Sequence, residues 1–140
     1  MREQSQKYVF AYVLALALLA GASGCATMPV HMLNSSVETY NGKDQTYQLT
    51  NSVTIGQVVH LSASFTWDSK SNAGVHTYRW ELYKDDQCIK KEPARNSLFE
   101  SSPWVIWLQE DTAALGKGTF RGILYLDNAV VVTLPFTVHQ

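Results

Sequence analysis

Two cysteines, Cys25 and Cys88, and four histidines, His31, His60, His76 and His139, are the residues of this chain best suited to nucleophilic, metal-binding or proton-transfer chemistry. Their spacing supports none of these. There is no His-Glu-x-x-His run, no nucleophile-elbow serine and no Gly-rich phosphate loop. Met28, His31 and Met32 would make a soft metal set, but such ligands need fixed geometry, and they lie in "ATMPVHMLNSS", a proline-containing stretch without sustained period that reads as a tether. The adjacent acids Asp85–Asp86 and Glu110–Asp111 read as turn and loop residues rather than as a general acid and base. Trp104 and Trp107 are three apart in a short apolar run. On a strand they point to opposite faces, so one ring packs on the core while the other is free to stack on a ligand such as a sugar.

The charge balance excludes a further class. Eleven Lys and Arg stand against 12 Asp and Glu over 140 residues, for a formal net charge of -1. Nucleic-acid binders concentrate basic residues on one face, and these are scattered.

The elements that position these residues fall into two parts. Arg2 and Lys7 precede an uncharged apolar stretch from Tyr8 to Ala22, followed by small residues. That order of positive start, apolar middle and small-residue end is a secretory signal, and the apolar stretch is short of the roughly 20 residues a membrane span needs. Ala22, Ser23, Gly24 and Cys25 resemble the lipobox of bacterial lipoproteins. The resemblance implies cleavage after Gly24, so that residues 1–24 are removed, and acylation of Cys25 by diacylglycerol and a fatty acyl chain such as palmitate. Ala22 departs from the leucine most often found at its place, and Ala26 resembles the residue that directs such proteins to the outer membrane. The implied location is the outer membrane, facing the periplasm, with residues 25–36 as lipidated N-terminus and tether. Cys88 is then left without an intrachain partner: a small buried residue beside Ile89, a free thiol, or half of an intermolecular disulfide.

From residue 37 the hydrophobic period is two. Val59, Leu61, Ala63, Phe65 and Trp67 alternate with His60, Ser62, Ser64 and Thr66, predicting a strand buried on one face. His76, Tyr78, Trp80 and Leu82 alternate with Thr77, Arg79, Glu81 and Tyr83, and the chain then turns at Asp85–Asp86 into a strand over Gln87–Lys91. Asn41–Gly42 marks a hairpin, "SPWVIWLQ" a strand after Pro103, and Asp127–Asn128 a tight turn between strands over Phe120–Leu126 and Ala129–Val138. Pro135 places that last strand at an edge, or bulged there.

About seven or eight short strands at this spacing predict an all-β antiparallel sandwich over 37–140. Trp80 in mid-strand and "GKGTFRG" before the final hairpin resemble the core tryptophan and the penultimate strand of immunoglobulin-like domains, with Phe120 lacking the corner hydroxyl and Gly122 standing at the place of the second cysteine. This fold hosts many functions. Anchor, tether and missing catalytic set together favour a non-enzymatic interaction or scaffold module in the envelope, bound to the membrane through lipid and to an envelope protein such as a secretion or surface assembly. Two alternatives are a carbohydrate- or peptidoglycan-binding module using Trp104 or Trp107, and a lysozyme-type inhibitor. No metal or other cofactor is expected.

Overall fold

The computed structural model describes residues 27–140; the signal region expected over 1–24, the cleavage expected after Gly24 and the lipidation expected on Cys25 lie outside the described residues. Ten strands follow in chain order: β1 (His31–Asn41), β2 (Thr46–Leu49), β3 (Ser52–Thr54), β4 (Val58–Thr66), β5 (Gly74–Lys84), β6 (Gln87–Lys91), β7 (Arg95–Phe99), β8 (Trp104–Asp111), β9 (Gly118–Leu126) and β10 (Ala129–His139). One turn of helix, α1 (Thr112–Leu115), links β8 to β9.

The strands form two sheets, β2-β1-β4-β8 and β3-β10-β9-β5-β6, with β7 also paired to β5. All pairs are antiparallel except the short parallel pair of β3 with β10. This is an immunoglobulin-like sandwich. The period-two rows meet between the sheets: Val59, Leu61, Ala63 and Phe65 from β4 face Trp80 and Leu82 from β5, Phe120 and Leu124 from β9, and Phe136 from β10. Trp80 is 2% exposed at the centre. A Cβ at Gly122 would overlap the Leu61 side chain, and the ring of Trp80 lies beside the same point. Where the immunoglobulin pattern has a cystine between the sheets, a leucine therefore reaches across into the space that a glycine leaves open.

The turns follow local chemistry. Asp85–Asp86 and Asp127–Asn128 all have positive φ, as a two-residue type I′ hairpin requires. The Asn41–Gly42 signal gives a hairpin too, but with Gly42–Gln45 as a four-residue loop between paired Asn41 and Thr46. Pro135 pairs with Arg121 on β9, and its other side is open because β3 reaches only Thr137–His139.

The tether expected over 25–36 is corrected for its described part, residues 27–36. Met28 donates its N–H to the Ala73 carbonyl at 2.9 Å and packs, with Val30, against the core. His31–Ser36 belong to β1, paired with β4 from His31↔Thr66 onward. These residues alternate poorly because both faces of β1 are exposed there, and backbone pairing with β4 rather than side-chain burial holds them. β3 and β7 also lack a readable period, being three and five residues long.

Candidate functional site

Register builds the outer face of the β2-β1-β4-β8 sheet. Tyr47 on β2 pairs with Tyr40 on β1, Glu38 with His60 on β4, and Ser62 with Trp107 on β8. Side chains at these positions point away from the core because their neighbours Val59, Leu61, Ile106 and Leu108 point into it. The result is a row of rings crossing all four strands: Tyr40–Tyr47, Tyr47–His60 and His60–Trp107 centroids are 5.2, 4.9 and 5.7 Å apart. The ends are open to water, Tyr47 being 51% and Trp107 58% exposed, while the His60 side chain in the middle is 14% exposed. Polar groups flank the row. Ser36 Oγ donates to Glu38 Oε1 at 2.9 Å and shares a hydrogen bond with Ser62 Oγ at 2.9 Å. His60 Nδ1 stands 3.5 Å from Glu38 Oε2 and has no hydrogen-bond partner among the described residues. The outward strand residues carry the carboxylates of Glu38 and Asp111 and no Lys or Arg.

A second feature adjoins this face. β8 pairs with β4 along one side only, and its other edge opens on a cleft of about 270 Å³ toward β5, β6 and β7. Arg79, Lys90, Arg95 and Glu92 line the cleft, with Trp80 at its floor and Trp107 at its rim. The indole Nε1 of Trp80 is buried there without a partner among the described residues. Lys90 binds Glu110 of β8 and, at 3.0 Å, Glu92; the hydrogen bond it donates to Glu110 holds its ammonium above the usual lysine range against the cost of burial. Val105 is exposed on the same edge strand.

The outer face of the other sheet is built differently. The Arg79 guanidinium lies 3.8 Å from the centre of the Tyr125 ring, and that of Arg121 lies 4.8 Å from Tyr83. Glu81 is buried between them, accepting from Tyr83 Oη at 2.9 Å and Arg79 Nε at 3.3 Å. Burial pushes the Glu81 carboxyl up, but hydrogen bonds from Tyr83, Tyr125 and Arg79 outweigh it and hold it below its ordinary 4.5. Reciprocally, the hydrogen bond to Glu81 pushes the Tyr83 hydroxyl up to about 12.

The residues singled out from sequence separate accordingly. Trp107 stands exposed in the ring row. Trp104 is half-buried, stacks on Phe99 at 5.9 Å and donates Nε1 to Ser97 Oγ at 3.2 Å, so its polar tip is already occupied. Cys88 is a free thiol on exposed β6, which corrects the reading of a buried residue: at the two-residue turn β6 leaves the core, and a bulge between Leu82 and Tyr83 aligns Cys88 with outward-facing Tyr83. Tyr40, Tyr47 and His60 were missed. Each is one member of an alternating strand, and only the sheet order makes them neighbours of Trp107.

His76 and Asp127 form a dyad of another kind. His76 Nδ1 lies 2.7 Å from Asp127 Oδ2, and Asp127 Oδ1 accepts from the Thr77 N–H at 3.0 Å. His76 is 3% exposed against the Phe99 ring, and its Nε2 has no partner among the described residues. With no serine or cysteine on that nitrogen, the pair clamps the β9–β10 turn to β5 rather than activating a nucleophile. Among the described residues no group of three His, Cys, Asp or Glu is placed to hold a metal ion.

No protein family and no curated protein matches the sequence. Among solved structures, an alkylpurine DNA glycosylase from Pseudomonas fluorescens superposes with a TM-score of 0.50 at 12% identity, over 89% of this chain and 34% of its own. A β-glucosidase from Listeria innocua superposes at 0.51 with 10% identity, over 76% and 16%. An immunoglobulin-like protein from Pseudomonas aeruginosa superposes at 0.48 with 12% identity, over 81% of this chain and 99% of its own. The chain thus spans about a third of the glycosylase and a smaller part of the glucosidase. At such identities the likeness is one of fold.

Proposed function

We propose that this chain is a non-catalytic recognition module of the bacterial envelope, anchored at the outer membrane through lipid on Cys25, and that it docks an extended segment of a protein partner along β8. An immunoglobulin-like sandwich fits a non-catalytic module. The observation that carries the docking reading is the edge of β8 beside the cleft, unpaired among the described residues: free backbone donors and acceptors along a strand accept a further strand, and the cleft of about 270 Å³ gives room for its side chains. Anchoring adds orientation. Met28 is already fixed to Ala73, so a lipid on Cys25 is separated from the sandwich by only two residues, Ala26 and Thr27. The end of the sandwich formed by Trp67–Gly74 then faces the membrane, with β8 and both outer faces turned sideways into the periplasm.

A photo-crosslinking residue placed at Val105 in cells captures one reproducible envelope protein, while the same residue at Thr133 of β10 does not. Equal or absent capture at both positions would refute docking along β8. Cys25→Ser releases the processed protein from the membrane; full retention after cleavage would refute the anchor.

A further inference from the structure

The ring row on the β2-β1-β4-β8 face serves no purpose in docking along the β8 edge, apart from Trp107 at the rim. Cross-strand aromatic pairs stabilise sheets when neighbours cover their faces. Here the terminal rings, Tyr47 and Trp107, leave more than half of their surface in water, and Leu49 beside Tyr47 is exposed as well. Apolar surface held open in this way, in one stripe rimmed by polar groups, marks a binding surface.

The charge of the face selects the ligand class. Phosphate backbones and other polyanions need a basic groove, and the outward strand residues here supply Glu38 and Asp111 without a single Lys or Arg. A flat aromatic surface with hydroxyl, amide and carboxylate groups beside it suits an uncharged polyol. The electron-rich ring faces attract the C–H side of a pyranose, and Ser36, Ser62, Gln109 and Glu38 offer acceptors and donors to its hydroxyl groups. The centroids of Tyr47, His60 and Trp107 follow one another at 4.9 and 5.7 Å, close to the advance of one sugar unit along an extended β-linked chain, so successive rings meet successive units. We propose that this face binds a neutral, β-linked polysaccharide strand laid across the four strands from Tyr47 to Trp107. The site is independent of the docking reading for β8.

The test uses the full-length lipoprotein in detergent and three neutral probes, chitohexaose, cellohexaose and laminarihexaose, with polygalacturonate as the anionic control, measured by calorimetric titration. At least one neutral probe binds and the control does not. Tyr47→Ala and Trp107→Ala each weaken binding by about fivefold or more, as loss of an aromatic contact should, and Arg121→Ala, over Tyr83 on the opposite sheet, leaves it unchanged. A readout on the unaltered chain accompanies these variants: bound probe slows N-bromosuccinimide oxidation of Trp107, the exposed tryptophan among four, followed by peptide mass spectrometry. Trp107→Phe, which keeps a ring, retains most of the affinity. The proposal is overturned if none of the three neutral probes binds, if polygalacturonate binds as well as they do, or if Trp107 oxidation is unaffected by a probe that binds. Crosslinking at Val105 persists in Tyr47→Ala, so failure here and failure of the β8 reading are told apart.

Discussion

The two outer faces of the sandwich use the same residue types to opposite ends. On the β5-β9 side the two outward tyrosines each have a cation over the ring, Arg79 on Tyr125 and Arg121 on Tyr83, and the buried Glu81 carboxylate ties tyrosine and arginine together. On the β1-β4 side the rings have only one another, and those at the ends face water. A covered aromatic stabilises the fold; an uncovered one keeps its face for a ligand. The difference between a structural face and a recognition face therefore lies less in aromatic content than in where the cations are. Tyr83 and Tyr125 would have looked as suitable as Tyr47 to a reader counting rings.

The comparison can be broken from the core outward. Both faces rest on one interior, so Trp80→Ala, which empties its centre, costs about 3–5 kcal/mol and abolishes both; urea unfolding followed by circular dichroism measures it. Next in size is the covered face alone. Glu81→Gln removes a buried charged acceptor and costs about 1.5–3 kcal/mol near neutral pH. Its pH dependence follows from the sign of the shift. The folded carboxyl titrates below its ordinary 4.5, so as pH falls the unfolded chain takes up this proton first; the stabilisation is complete above about 4.5 and is lost as pH drops through the folded value. Thermal unfolding of the wild-type chain should show that acid loss, and Glu81→Gln should flatten it. The same substitution brings Tyr83, now held at about 12, back toward ordinary tyrosine in a spectrophotometric titration.

Smaller effects belong to the uncovered face. Tyr47→Ala removes a half-exposed ring from cross-strand contacts and costs about 0.2–1 kcal/mol, well under its effect on saccharide affinity; a loss of stability as large as that of Glu81→Gln would make the row a structural ladder and erase the contrast. Smallest of all is Cys88→Ser, at an exposed position on β6, which should change stability by less than about 0.5 kcal/mol. In the wild-type chain Cys88 reacts with a maleimide without denaturant, and resistance to labelling would place it back in the interior.

Much of this was legible in the residues. β4, β5, β8, β9 and β10 follow from alternation, because burying one face of each fixes its register, and the two aspartate-led turns follow from their tolerance of positive φ. The first half of β1 has no buried face to leave a pattern, and β7 pairs with β5 rather than with β8, the strand that follows it, a choice that no local period encodes. Of the candidate site, Trp107 was readable as one of two opposed tryptophans, but which of the pair faced water depended on β8 turning Ile106 and Leu108 inward.

Sequence alone determined which residues of the strongly alternating strands β4, β5, β8 and β9 face inward or outward, since that depends only on the pleat and on the hydrophobic effect acting along one strand. Tertiary structure decided which outward residues became neighbours. Tyr40, Tyr47, His60 and Trp107 are brought together by strand order, and Arg79 is placed over Tyr125 by the pairing of β5 with β9. Those pairings are non-local, set by how two sheets jointly close one core, and so the contrast between a sealed face and an open one exists only once the chain has folded.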